Sequence, residues 1–233
     1  FKDKEKLKCW SKNNLLTPDQ VSIRSSDKFW FKCQVCEHDF EIRPADDAVK
    51  SWCSYCSNKK LCKDSRKCIS CLPKTFFGLK SYKVNCWSPI NTLKPWEVFR
   101  RSHTKFWFKC DKCPHQFQAS LLNVTSPLAP WCPYCSGRKL CEKSKQCGVC
   151  LPKSFSTFDP EKVACWSEKN TLHPEEVTFS SDQKMWFNCD KCNHEFDARV
   201  ANVTKSWKLV GTWCPVCNKN KAIKTLIEYV VLH

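Results

Sequence analysis

The residues here that can do chemistry are cysteines: 21 in a chain of 233, most of them spaced C-x-x-C. Thiolates at that spacing sit on one tight turn, and two such turns can converge on a single metal ion. Three sets of four follow this pattern: Cys33, Cys36, Cys53 and Cys56; Cys110, Cys113, Cys132 and Cys135; Cys189, Cys192, Cys214 and Cys217. Adjacent pairs of this kind read as zinc ligands rather than as a secreted disulfide lattice. Four thiolates close the coordination sphere, so the metal expected is structural and not catalytic. Structural zinc contributes on the order of 10 kcal/mol or more to folding a small unit, so chelation should unfold the chain.

Nine cysteines remain. Cys62, Cys68 and Cys71 follow the first set as C-x5-C-x2-C, and Cys141, Cys147 and Cys150 repeat that spacing after the second. In both cases fourteen residues separate the triplet from the next cysteine, Cys86 or Cys165. The expectation is a second class of site, C-x5-C-x2-C-x14-C, stapling each unit to the next. Cys9 holds the place of Cys86 and Cys165, so its partners are expected upstream of Phe1; a disulfide or an unliganded thiol is the plain alternative. The count closes at five complete four-cysteine zinc sites and one orphan ligand. His38, His115 and His194 each stand two residues past a knuckle cysteine. With four thiolates already assigned to each site, these histidines read as supporting or packing residues.

The elements that must position these ligands recur with a period near 78 residues. Cys9, Cys86 and Cys165 each open Cys-Trp-Ser, followed in register by Asn14, Asn91 and Asn170, by Leu16, Leu93 and Leu172, and by Pro18, Pro95 and Pro174. Next come Val21, Val98 and Val177, then Ser25, Ser102 and Ser181. A short helix is expected to end near Cys-Trp-Ser, with the Asn and Pro marking a turn. The Val segment and the Trp-Phe segment read as strands. The knuckle reverses the chain, and Phe40, Phe117 and Phe196 start a return strand. The stretch between the two cysteine pairs grows from 16 to 18 to 21 residues, which fits an exposed hairpin tip. Asn123-Val124-Thr125 and Asn202-Val203-Thr204 read as an equivalent turn rather than as glycosylation sites. The fold class expected is therefore small zinc-stabilised β-rich (α+β) modules in tandem. Their spans are 9–85, 86–164 and 165–220, after an end or linker at 1–8 and before a C-terminal helix at 221–233.

The formal charge is +16. Each four-thiolate zinc removes two units, so five of them leave about +6. Basic residues outnumber acidic ones 14 to 8 in 9–85 and 12 to 5 in 86–164, but only 9 to 8 in 165–233. Candidate phosphate contacts are Lys28, Lys32, Arg100, Arg101, Lys105 and Lys109, with a solvated basic face as the plain reading. Trp30, Trp107 and Trp186 offer stacking surfaces for bases. Strand alternation sets each opposite its flanking aromatics, and small zinc modules need aromatics for a core, so core packing is the favoured role.

The residues quoted carry a family resemblance. Trp87, Asn91, Leu93, Pro95 and Val98, then Ser102, Lys105, Trp107-Phe108, Cys110, Cys113, His115 and Phe117, then Cys132-Pro133-Tyr134-Cys135, resemble the probable zinc-ribbon or treble-clef-like repeat domains of large DNA viruses and some bacteria. The resemblance covers most of all three units and leaves ribbon and treble clef open. It implies that some relatives continue into an endonuclease domain similar to very-short-patch-repair enzymes, opening Asn-Lys-Thr-Glu. Here the matching stretch runs Asn220-Lys221-Ala222-Ile223-Lys224-Thr225-Leu226-Ile227-Glu228, with Ile223 at an acidic position. Glu228 has no Asp/Glu/Lys partners after it and reads as a surface residue.

The function expected is non-catalytic binding: a multivalent platform for nucleic acid, whose weak sites gain through effective concentration. The alternatives are a structural component of a large assembly such as a virus particle, bridging capsid-like neighbours, and the targeting region of a nuclease. No small-molecule substrate and no membrane partner are expected. Reduced thiolates point to cytoplasm, nucleus, or a virion assembled there.

Overall fold

The computed structural model of the chain describes residues 4–44, 52–206 and 213–219. The expected C-terminal helix at 221–233, with Glu228, lies outside these residues. The chain forms two compact units, Phe1–Lys109 with Gln118–Ala129, and Cys110–Phe117 with Pro130–His233.

Each repeat is built on one antiparallel hairpin. β1 (Phe29–Lys32) pairs with β2 (Asp39–Ile42), β3 (Lys105–Lys109) with β4 (Gln116–Ser120), and β5 (Lys184–Asn188) with β6 (Glu195–Arg199). The register sets Phe31 opposite Phe40 and Phe187 opposite Phe196. Period-two alternation then buries Phe31, Phe108 and Phe187 completely and turns the tryptophan of each strand to the other face. Trp10, Trp52 and Phe40 close around Phe31 edge-on or tilted, and Trp166, Trp213 and Phe196 do so around Phe187.

The Asn of each repeat closes the open edge of its hairpin. Asn91 Nδ2 donates to the Trp107 carbonyl at 2.8 Å, and its Oδ1 accepts from the Trp107 N–H at 2.9 Å. Asn14 does the same for Trp30, and Asn170 for Trp186. One amide side chain thus satisfies both backbone groups that a neighbouring strand would otherwise take. The indole Nε1 of Trp10, Trp87 and Trp166 donates to the carbonyls of Leu16, Leu93 and Leu172, each at 3.1 Å, which fixes the turn between them.

A short helix does precede Cys-Trp-Ser: α1 (Lys4–Leu7) in the first repeat, a 3-10 turn at Tyr82–Val84 in the second, and in the third a helix at Pro160–Ala164 capped by Asp159. Two expectations fail. The Val segments are not strands; the residues after Val98 and Val177 contribute only isolated bridges, Thr75 to Phe99 and Ser154 to Thr178. In the second and third repeats the stretch after the return strand is not a bare hairpin tip; in the first, residues 45–51 lie outside the described residues. The stretch carries α2 (Leu121–Thr125) in the second repeat and, beyond α3 (Pro160–Ala164), α4 (Val200–Ser206) in the third. These bury Leu121 and Val124, and Val200, Ala201 and Val203. The two Asn-Val-Thr stretches therefore lie in equivalent helices, because their valines supply core volume.

The Leu-Pro-Lys segments after the cysteine triplets join successive repeats. Phe76 donates its N–H to the Val98 carbonyl, and Arg100 donates back to Lys74. Phe155 and Phe179 do likewise with Val177 and Lys153. Phe76 and Phe155 are fully buried; Phe76 packs on Trp87 and Phe108, and Phe155 on Trp166 and Phe187.

Candidate metal centres and a basic aromatic face

The hairpin turn presents the first sulfur pair of each module. The Cys33 N–H bonds the His38 carbonyl at 3.0 Å, as Cys110 does with His115 and Cys189 with His194. The residue after the second knuckle cysteine takes positive φ where it is Glu37 (59°) or Asn193 (54°). After the second pair, Asn58 (φ 59°) and Gly137 (φ 70°) turn the chain toward the triplets, a left-handed conformation open to Asn and Gly.

Among the described residues, five groups of side chains gather with their ligand atoms within 4.8 Å of one another. Three are the expected four-cysteine sets. Sulfur separations are 3.7 Å for Cys33–Cys56 and 3.5 Å for Cys36–Cys53. They are 3.6 and 3.8 Å for Cys110–Cys135 and Cys113–Cys132, and 3.7 Å for both Cys189–Cys217 and Cys192–Cys214. A tetrahedron with Zn–S near 2.3 Å has edges of about 3.8 Å, so the sulfurs fit zinc closely.

The other two groups correct the ligand assignment. They are His38 with Cys62, Cys68 and Cys71, and His115 with Cys141, Cys147 and Cys150. The fourth member is the histidine, not Cys86 or Cys165. His38 Nε2 lies 3.3 Å from Cys68 Sγ and 3.6 Å from Cys71 Sγ. His115 Nε2 lies 3.5 and 3.6 Å from Cys147 and Cys150. The rings are aimed by stacking on Tyr55 and Tyr134, each at 4.3 Å between centroids. Cys86 is held elsewhere: its carbonyl accepts from Lys109, and its thiol faces the Tyr82 carbonyl. Cys165 and Cys9 are held in the same way by Asn188 and Glu161, and by Lys32 and Glu5. A cysteine pinned to the base of its own hairpin cannot turn back to the preceding triplet. The second site therefore ties the triplet to its own module, and the buried phenylalanines do the stapling between modules.

The zinc reading holds with five sites, three built from four cysteines and two from three cysteines and a histidine. Three sites then remove two charges each and two remove one, so the loaded chain carries about +8 instead of the +6 expected. Without a cation the thiols divide: Cys33, Cys68, Cys110, Cys147 and Cys189 fall below the ordinary thiol value, burial being outweighed by hydrogen bonds from backbone N–H groups and neighbouring sulfurs, while others rise. Burial raises Cys53 and Cys132 to about 11 and Cys62 and Cys150 to about 12, neighbouring sulfurs adding to the rise at Cys62. A central dication reverses that balance. Burial, and then the Lys153 ammonium, hold the His115 imidazole below its ordinary value, which keeps it neutral and able to ligate.

The histidine role was hidden because His194 repeats the pattern with no triplet beside it. The available signal was Tyr55 and Tyr134 against Val216: the ring appears only in the modules that carry a triplet.

The candidate partner contacts divide. Lys28, Lys32, Lys105 and Lys109 are all exposed, and Trp30 and Trp107 are half-buried between them on the outer strand face. Trp186 is 40% exposed, so these tryptophans are not core residues; their phenylalanine neighbours are. In the third module the same face is neutralised. Lys184 pairs with Asp197 at 2.8 Å, and Lys169 pairs with Glu195 and covers Trp186. On β3 and the β4 residue Gln118 that face carries no carboxylate. Arg100 and Arg101 are exposed and line an open groove of about 560 Å3 with Leu122, Asn123 and Thr125. No helix among the described residues is long and apolar enough to cross a membrane.

Residues 7–59, 84–138 and 163–220 each match the probable treble clef zinc finger domain. The chain is 33% identical over 209 residues to an uncharacterized protein of Acanthamoeba polyphaga mimivirus, an alignment covering 86% of this chain and 49% of that protein. The chain thus spans about half the length of the curated relative it matches.

Proposed function

The chain belongs to the probable treble clef zinc finger domain family, and from that premise we propose that it is a non-catalytic platform for single-stranded nucleic acid. The observation that carries this reading is the outer face of β3. Trp107 is half-buried between exposed Lys105 and Lys109, and no carboxylate opposes them along the strand. An aromatic face flanked by cations suits a base stacked over phosphates whose counterions it displaces. The hairpin of 9–85 offers Lys28, Trp30 and Lys32, opposed in part by Asp39 and Glu41. The closed metal sites argue for zinc as scaffold, since no coordination position is left for substrate.

The test is a salt series with labelled single-stranded and duplex oligonucleotides on the zinc-loaded chain. Affinity should fall steeply with salt and favour the single strand. Replacing Lys105 and Lys109 by Gln should reduce the salt slope by about 1 to 2. Absence of binding, or binding indifferent to salt, overturns the proposal.

A second reading has its own support. Phe76 and Phe155 seat each triplet's tail in the following hairpin core, and such a linked array suits a scaffold that bridges neighbours in a large assembly. Copurification with one protein partner at fixed stoichiometry, without nucleic acid, would select it.

A further inference from the structure

Modules 1 and 2 differ from module 3 in one chemical respect. All three carry a four-sulfur centre and a histidine two residues beyond its second cysteine. Only the first two place a cysteine triplet and a stacked tyrosine around that histidine. In module 3 the tyrosine position is Val216, and the positions in register with the triplet are Ile223, Tyr229 and Leu232. His194 is exposed, whereas His38 and His115 are half-buried.

The two ring nitrogens of His115 face different centres. Nε2 points at Cys147 and Cys150, and Nδ1 lies 3.2 Å from Cys113 Sγ. Cys113 belongs to the neighbouring four-sulfur set. In module 1, His38 Nε2 faces Cys68 and Cys71, and its Nδ1 is buried with no hydrogen-bond partner among the described residues. Cys36 stands in the register of Cys113. A neutral imidazole that gives its Nε2 lone pair to a metal carries its proton on Nδ1, so Nδ1–H must donate. A thiolate beside it is the acceptor, and a donated hydrogen bond stabilises the charge on that sulfur.

We infer that His115 serves two zinc centres: its Nε2 completes the triplet site, and its Nδ1–H guards the Cys113 thiolate of the four-sulfur site. Against the guarded centre of module 2, the centre of module 3 is then the electrophile-sensitive one, and Cys192, in the register of Cys113, is its modification site. Cys192 is exposed, whereas Cys36 is buried and Cys113 half-buried. The ligand class is a soft carbon electrophile. With a maleimide, the Cys192 sulfur forms a bond to one alkene carbon. The alkene π bond breaks, the other carbon takes a proton from water, and the neutral thioether is a far weaker zinc ligand than the thiolate it replaces.

The experiment treats the five-zinc chain with substoichiometric N-ethylmaleimide and maps labelled residues by mass spectrometry, beside zinc release to a chromogenic chelator. Cys192 should be labelled about ten-fold faster than Cys113, the scale on which hydrogen-bond partners of metal ligands act. His115→Ala should raise Cys113 labelling by a similar factor, and His194→Ala should leave Cys192 unchanged. His115→Cys separates the two duties: a fourth thiolate can complete the triplet site but has no N–H to donate, so Cys113 labelling should rise there too, whether or not His115→Ala folds. Equal labelling of Cys192 and Cys113 overturns the inference. So does unchanged Cys113 reactivity in a folded His115→Ala chain, since exposure alone would then set the order.

Discussion

At the residue scale, the molecule turns on which side chain completes the triplet sites. Imidazole Nε2 reaches them because Tyr55 and Tyr134 hold the rings flat against the knuckle. His38→Ala and His115→Ala should each cost one zinc per chain, read by metal analysis, while Cys86→Ser should cost none. The repeated Asn has a different duty. Asn91→Ala strips two partners from the Trp107 backbone and should destabilise its module by about 1–3 kcal/mol in a denaturant titration of the loaded chain. The twelve ligands of the four-cysteine sites are legible directly, because two C-x-x-C knuckles leave little freedom. The histidines are not, because spacing along the chain cannot say which of two nearby donors faces a triplet; only the stack and the hairpin place it.

At the element scale, the hairpins and the helix before Cys-Trp-Ser follow from alternation and capping. The Val segment does not become a strand, since its edge is engaged by a single bridge from the incoming Leu-Pro-Lys segment. The helices α2 and α4 were obscured by the drift in length between the cysteine pairs, which resembles an exposed tip until Leu121, Val124 and Val200 are seen buried. The incoming segment contributes one fully buried ring to each following core. Phe76→Ala and Phe155→Ala each empty a fully buried ring from the next core, with an expected loss of about 3–5 kcal/mol. Zinc stoichiometry should stay unchanged in both, so calorimetry and metal content separate stapling from ligation.

At the scale of the whole molecule, metal and proton compete for the same sulfurs. Thiols that the apo chain holds at about 11 or 12, chiefly through burial among other sulfurs, ionise only beside the cation. Acidification returns protons to them, so zinc and fold should be lost together as pH falls below neutral, followed by circular dichroism beside zinc release. The charge that remains is modest, and on the outer face of β3 Lys105 and Lys109 meet no opposing carboxylate, which is where the nucleic-acid proposal rests. Among the described residues there are five candidate metal sites, two of them completed by histidine. Native mass spectrometry of the loaded chain counts those metals one by one. Five zincs are expected in the wild type, four in His115→Ala and five in Cys165→Ser; four in Cys165→Ser with five in His115→Ala would contradict the histidine assignment.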